Sequence, residues 1–471
     1  MARRGRNGSF VSQRFLTLAF ALVAIALVAC EVWAACNCRC CGGGGGVGGR
    51  RQSVGGIAIN ADGVLSNALQ DDTDILRQRR LKALAQVPGD VNPPTELRKI
   101  SLRKLEEAVA EELKAGKAAQ TLPIEMKALA GLQQIRYVFV YPEQQDIVIA
   151  GFAEGWKVDA KGNTVGITTG RPVMLLDDLG VALRSGRKAA KLGITCSIDP
   201  TADGLKKLRD YVGGLREMGD PDSTLSAIEQ LLGPQRITIN GVPDSSHFAR
   251  VLVAADYRMK RLGMNFEEAP IANFPSYIDM LPASGRGIQN MTPRWWLVPN
   301  YQPLLTDGEG LAWELRGAAV KTMTEDAFIT SQGAKPVAGK TSPTAQRWAD
   351  QMTNRYEELA LKEPIFAELR NCMDLAIVAA LIAKENLLQK AGHSLTLLTD
   401  AAQLPADDLG APKYIDSKAT GLKKGSNWII TASGGIEIRP GKFLDKVEQS
   451  PALKPAHDEA VKNAGKRWWW N

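Results

Sequence analysis

The sequence predicts an α+β fold, with mixed sheets and packed helices in two or three domains, following an N-terminal export signal and a flexible Cys/Gly tether. Three observations carry this. Short apolar runs bounded by turn residues alternate with apolar stripes at helical spacing along the body of the chain. A composition of 45% hydrophobic and 23% charged residues has enough apolar side chains to build cores. The chain has 471 residues, and the part beyond the leader is long enough for two or three domains at about 150 residues each.

Four arginines, Arg3, Arg4, Arg6 and Arg14, precede an apolar run from Phe15 to Ala29, which reaches Cys30 in Leu27-Val28-Ala29-Cys30. A charged start, a short apolar stretch and small residues at its end are the marks of a secretory leader, so residues 1–29 are expected to be a signal peptide. The expected location is outside the cytoplasm: periplasm, outer envelope or extracellular space. Two maturation routes compete, a lipobox that makes Cys30 the lipidation candidate and a plain cleavage site at Val32-Trp33-Ala34. Removing the four leader arginines lowers the formal charge from +7 to +3, a balance that calls for no nucleic acid partner.

Residues 30–53 read as a tether, because Gly42–Gly46 supplies no side chains to bury and loses much chain entropy on ordering. Its thiols, Cys36, Cys38, Cys40 and Cys41, are candidates for cross-linking to neighbours in an oxidising envelope. A soft metal such as Cu(I) would be a second use, but adjacent Cys40 and Cys41 lack zinc spacing and no metal site is expected. A linker whose thiols have no defined partner is the bland alternative.

A first α+β domain is expected over 54–232. It opens with a strand or hairpin signal at Gly55–Leu65, then helices at Thr73–Ala85 and Ser101–Ala118, the latter with Leu105, Val109 and Leu113 on one face. Strands come next at Ile135–Tyr141 and Asp146–Phe152, and a hairpin at Gly155–Thr168. Helix Leu176–Lys188, strand Gly193–Ile198 and helices from Thr201 and Thr224 complete it, with Asp199 and Ser223 read as caps and Gly233-Pro234 as a stop. The second domain, 234–447, has strand Arg236–Ile239, helix Ser245–Leu262, and strands at Arg294–Pro299 and Gly310–Met323. A long helical stretch at Thr344–Lys390 breaks at Pro364, which lacks an amide proton. Strands at Leu395–Leu398, Trp428–Thr431 and Ile436–Arg439 close the fold, and 448–471 reads as a loose polar tail ending in tryptophans.

Ala334–Thr341 fits a relaxed phosphate-loop pattern, but Pro336 removes an amide and the next helix begins only after Ser342-Pro343. Ser101–Lys104 and Ser185–Lys188 fit a serine-lysine signature without its partner elements, and Ser101 is better read as a helix cap. Three histidines, His247, His393 and His457, make histidine chemistry improbable. The acid pairs Asp71-Asp72, Asp177-Asp178, Glu267-Glu268 and Asp407-Asp408 read first as helix-terminus acids. Trp295-Trp296 and the terminal Trp468-Trp469-Trp470 offer indoles for a membrane interface or a sugar, against the alternative of a frayed end. The best-defined helix is Ser246–Leu262, whose stripe of Phe248, Val251, Leu252, Ala255, Met259 and Leu262 has Asp256 at its margin. Asp256, Arg258 and Lys260 are therefore the cleft candidates, with a solvated Asp256/Lys260 pair preferred as the simpler reading.

At Ile194–Thr201, Ala254–Lys260, Arg294–Trp296 and Arg370–Leu375 the chain resembles a planctomycete family of exported proteins, domain of unknown function 1598, over roughly 54–440. The resemblance implies a bacterial envelope setting and no activity, catalytic residue or cofactor. The expectation is thus a non-enzymatic structural or interaction protein at the cell surface, with envelope proteins or polymers as partners. The alternative is a carboxylate-dependent hydrolase acting on envelope polymers.

Overall fold

A computed structural model describes residues 57–59, 64–67, 89–159, 163–214, 220–281, 292–330, 333–336, 342–409, 412–419, 433–462 and 464–471. The leader and tether, with Cys30, Cys36, Cys38, Cys40 and Cys41, lie outside them, as do the expected helix at 73–85, Asp71-Asp72, and the expected strand at 428–431.

The fold is α+β. In chain order it runs β1 (Ile57–Ile59), β2 (Val64–Asn67), β3 (Thr95–Ser101), α1 (Leu102–Lys114), α2 (Ile124–Lys127), β4 (Tyr137–Tyr141), β5 (Asp146–Ala153), β6 (Trp156–Val158) and β7 (Thr164–Gly166). Next come α3 (Leu176–Leu192), β8 (Ile194–Asp199), α4 (Ala202–Gly214), α5 (Pro221–Leu232), β9 (Gln235–Asn240), α6 (His247–Gly263), α7 (Tyr277–Met280), β10 (Thr292–Tyr301), β11 (Leu304–Thr306), β12 (Ala312–Glu314), β13 (Gly317–Thr330) and β14 (Gly333–Pro336). The last part has α8 (Pro343–Asn354), α9 (Tyr356–Lys362), α10 (Pro364–Lys384), α11 (Leu387–Ala391), β15 (Tyr414–Ile415), β16 (Ser433–Ile438), α12 (Gly441–Leu444), β17 (Val447–Gln449), α13 (Leu453–Ala460) and β18 (Trp469–Trp470).

Two mixed sheets organise these elements. One has nine strands in the order β1-β2-β15-β9-β8-β16-β10-β13-β14, the other seven in the order β17-β11-β12-β4-β5-β3-β18, and β6 and β7 form a separate hairpin. Helix α6 lies on β8, β16 and β10, while α1 and α11 pack on the seven-stranded sheet. Helix α10 packs along α3 and against α6. It is buried from Pro364 to Ile382, the pattern of a helix with neighbours on every side. Pro364 sits in the first turn of α10, where its missing N–H costs nothing, so the proline restarts the helix it ends.

The boundary expected at 232/234 does not separate two cores. Residues 50–471 form one unit, and β9 pairs antiparallel with β8, Cys196 opposite Ile239, while β16 pairs with β8 on its other side. A cut at 233 would leave β8 with neither neighbour. The tight fit of this sheet is visible at Gly434 in β16, whose φ of +128° and close approach to Trp295 leave no room for a Cβ.

Other expectations are corrected by local hydrogen bonding. The segment Leu395–Leu398 is a turn rather than a strand, because the Leu397 and Leu398 amides donate to Glu106 Oε1 at 2.6 and 3.0 Å instead of to a neighbouring strand. Thr201, not Asp199, caps α4 by accepting from the Gly204 amide at 3.1 Å, and Asp220, not Ser223, caps α5. Ser101 does cap α1, accepting from the Lys104 amide at 3.0 Å. Gly310–Met323 is two strands, β12 and the start of β13, separated near Gly317.

The terminal segment 448–471 is docked, not loose. Trp468, Trp469 and Trp470 are buried, β18 pairs with β3, and Trp470 Nε1 donates to Ala460 O at 2.9 Å. The cause is the outer face of the seven-stranded sheet: Phe139, Tyr141, Val148 and Ala150 need a cover, which Leu453, Ala460 and Trp470 supply. Burial of this kind is worth about 25 cal/mol per Å² of apolar surface, and each tryptophan offers some 150–250 Å². Neither a frayed end nor a membrane-facing indole belt describes these residues.

Candidate functional site

Helix α6 places two charged sites at its two ends. Its N-cap, Ser246, accepts from the Ala249 amide, and its apolar stripe lies fully inside, as the spacing requires. Four residues apart, Asp256 and Lys260 share one face of the helix and pair at 2.9 Å. The pair is buried rather than solvated, with Asp256 at 0% and Lys260 at 7% exposure. Lys260 Nζ also donates to Ile198 O at 3.0 Å and Gly434 O at 3.4 Å, so its three protons are placed and α6 is tied to β8 and β16. Burial raises the Asp256 pKa to about 6 against the pull of Lys260.

Beside this pair opens a cleft of about 400 Å³, counting space open to solvent. Tyr257, Lys260 and Arg261 of α6, Phe266 after it, and Asp416 and Lys418 after β15 give the cleft its chemistry. Arg261 lies 5.3 Å from the Tyr257 ring centre and 6.0 Å from that of Phe266. Its Nε donates to Glu267 at 2.5 Å and its Nη1 to the Tyr257 hydroxyl at 3.0 Å. Of the three cleft candidates, Lys260 lines the cleft and Asp256 stands behind it. Arg258 leads elsewhere, to Glu363 at 2.8 Å and to Glu267.

At the other end of α6, His247 Nδ1 meets Asp178 Oδ2 at 2.9 Å, and Glu368 of α10 is close enough to act on both electrostatically. Burial lowers the imidazole's proton affinity, but the Asp178 charge and hydrogen bond, with Glu368 and Asp177, outweigh it and hold the pKa at about 9. Burial pushes Glu368 up to about 7, opposed by His247 and helped by Asp178. Cys372, one turn further along α10, is raised well above the usual thiol value by burial and these two acids. Among the described residues, the buried oxygens Asp178 Oδ1 and Glu368 Oε2 have no hydrogen-bond partner. Sequence reasoning misses this constellation because its members lie on α3, α6 and α10; the one visible sign is a histidine at the start of the best-defined helix.

The remaining acids act as ties. Glu154 accepts from Gln133, Thr168 and Thr169, bonds that outweigh burial and lower its pKa. Asp374 takes the Ile135 amide at 3.1 Å and the Tyr301 hydroxyl, and burial raises it to about 6. Asp177 and Asp178 do stand in the first turn of α3, and Asp177 also accepts from the Asp407 amide at 3.2 Å. Glu267 serves two arginines instead of a helix end. His393 reaches Glu106, and His457 stacks on Tyr141 with ring centres 4.4 Å apart. Trp295 is interior, packed on Trp348 and Tyr277. In the phosphate-loop-like segment, residues 334–336 belong to β14, 337–341 lie outside the described residues, and α8 starts at Pro343 under a Ser342 cap. Among the described residues no three His, Cys, Asp or Glu side chains are placed to hold a metal ion, and no helix is long and apolar enough to cross a membrane.

Residues 196–277 match a family model described as protein of unknown function (DUF1598). The matched segment runs from β8 to the first residue of α7 and so contains all of α6. Of the motifs carrying the resemblance, Ala254–Lys260 and most of Ile194–Thr201 fall inside it, whereas Arg294–Trp296 and Arg370–Leu375 fall outside. No curated protein and no solved structure matches the chain.

Proposed function

We propose that this is an exported protein of a bacterial envelope, planctomycete by its resemblance, that works at the cell surface as a non-enzymatic interaction protein. The arginine-led apolar leader supports export, with Cys30 as the lipidation site or Val32-Trp33-Ala34 as the cleavage site. The Cys36, Cys38, Cys40 and Cys41 tether would then link the folded unit to its neighbours. The observation that carries the reading is the division of labour among charges: acids such as Glu154, Asp177 and Asp374 hold loops and helices in place, while the open cleft is lined by Lys260, Arg261, Lys418 and aromatic rings with a single acid, Asp416. A hydrolase of polymers needs two carboxylates facing one cleft. The partners are envelope proteins or polymers. Fractionation of the native cells with intact-mass measurement is the test. Mature protein in the envelope fraction, lacking the leader and carrying a lipid at Cys30 or thiol linkages, supports the proposal, whereas uncleaved chains in the cell interior refute it.

One observation favours the hydrolase as second reading, the Asp178–His247–Glu368 group with its raised carboxyl. An acid with a pKa near 7 is poised for proton transfer. Glu368→Gln separates the two readings: abolished turnover of an envelope polymer supports the enzyme, and partner binding unchanged in a protein without turnover supports the interaction protein.

A further inference from the structure

We infer that the cleft beside α6 is a binding site for a ring-shaped ligand bearing an acidic group, namely an acidic sugar, the ligand's source resting on the envelope function proposed for the chain. The cleft is shallow and open to solvent, so a ring would lie along its lining with part of its edge in water. One wall is a held arginine. With Nε on Glu267 and Nη1 on the Tyr257 hydroxyl, the Arg261 guanidinium is fixed in orientation, and its Nη2 takes no acceptor among the described residues. A guanidinium fixed in this way loses little freedom on meeting a carboxylate. Tyr257 and Phe266 flank it and supply the apolar surface on which a ring can lie.

The part of the lining after β15 is adjustable. Lys418 is 54% exposed and pairs with Glu229 at 3.4 Å, a weak surface contact that a ligand carboxylate can replace. Asp416, exposed in the same part, is an acceptor for ligand hydroxyls. Lys260, with its three protons placed, adds its methylene stem and its charge but no hydrogen bond. Seven of the ten lining residues fall within 196–277, so most of the cleft is built by the segment the family model covers.

The test is calorimetric titration of the full-length protein with a hexuronate trisaccharide, with the neutral glucose trisaccharide and an aspartate-rich peptide as comparisons. Saturable binding of the hexuronate, at least ten-fold tighter than either comparison, weakened by added salt and about ten-fold by Arg261→Gln or Lys418→Glu, is the expected result. Lys418→Glu lies on the surface and keeps the fold testable if Arg261→Gln does not. Equal binding of the neutral sugar, preference for the peptide, no saturable binding, or indifference to both substitutions overturns the inference. Envelope localisation with any of these outcomes removes the ligand assignment alone, whereas chains found in the cell interior remove the envelope reading whatever the titration gives.

Discussion

The two ends of α6 bury charge in opposite ways. Toward its C-terminal end, one acid meets one base, and the base's remaining protons reach two strand carbonyls. At the N-terminal end, one imidazole faces Asp178, Glu368 and Asp177, and among the described residues two carboxylate oxygens are left without a partner, against one, Asp256 Oδ1, at the other end. The first is a tie in which the cation offsets part of the burial cost, and its acid, raised to about 6, takes up a proton only as the pH falls below neutrality. The second keeps its members buried by retaining protons, so it responds to pH. Burial alone therefore does not tell what a charged cluster does; the count of donors against acceptors does.

The largest effect is expected where the balance is broken. Lys260→Met leaves Asp256 buried without its cation and should cost about 3–5 kcal/mol in urea denaturation, with Asp256→Leu in the same chain recovering much of it. A loss below about 1 kcal/mol would mean that the pair is not the tie described.

At the other end the expected effect is a slope. Folding raises the proton affinity of both groups, so the native state holds protons that the unfolded chain has released and stability falls as pH rises. For Glu368 the fall lies between its ordinary 4.5 and about 7, and for His247 between 6.5 and about 9. Glu368→Gln, a permanent analogue of the protonated acid, should remove the first limb, at most about 3 kcal/mol in extent. His247→Gln should flatten the second. Identical pH profiles for wild type and both variants would erase the contrast between the two ends.

Smaller effects sharpen it. Ser246→Ala removes the cap beside His247 and should cost about 1 kcal/mol without changing either slope. Lys418→Gln, at the exposed rim of the cleft, should alter stability by less than about 0.5 kcal/mol in the same measurement.

Much of the fold was legible wherever a pattern is local. The apolar stripe of α6, the Ser101 cap, the break at Pro364 and the strands at 137–141, 146–153 and 194–199 follow from spacing and from single residues. The cleft was half legible: Asp256 and Lys260 stand out because they share a face of the best-defined helix. Their burial does not, since the same four-residue spacing serves a solvated pair equally well; only the strands over that face exclude water. Arg261, Phe266 and Lys418 carried no sign at all, being brought together by chain segments some 150 residues apart.

The sequence by itself determined the α+β class, most helix and strand positions, and which face of each amphipathic element is apolar, because side-chain period and backbone preference act over a few residues. Tertiary structure alone decided that positions 232 and 234 belong to one sheet-bound unit, that Trp468–Trp470 close the other sheet, and that His247 meets Asp178 and Glu368. These depend on which surfaces cover one another and where water is kept out, and a charge or an indole has a different meaning on each side of that line.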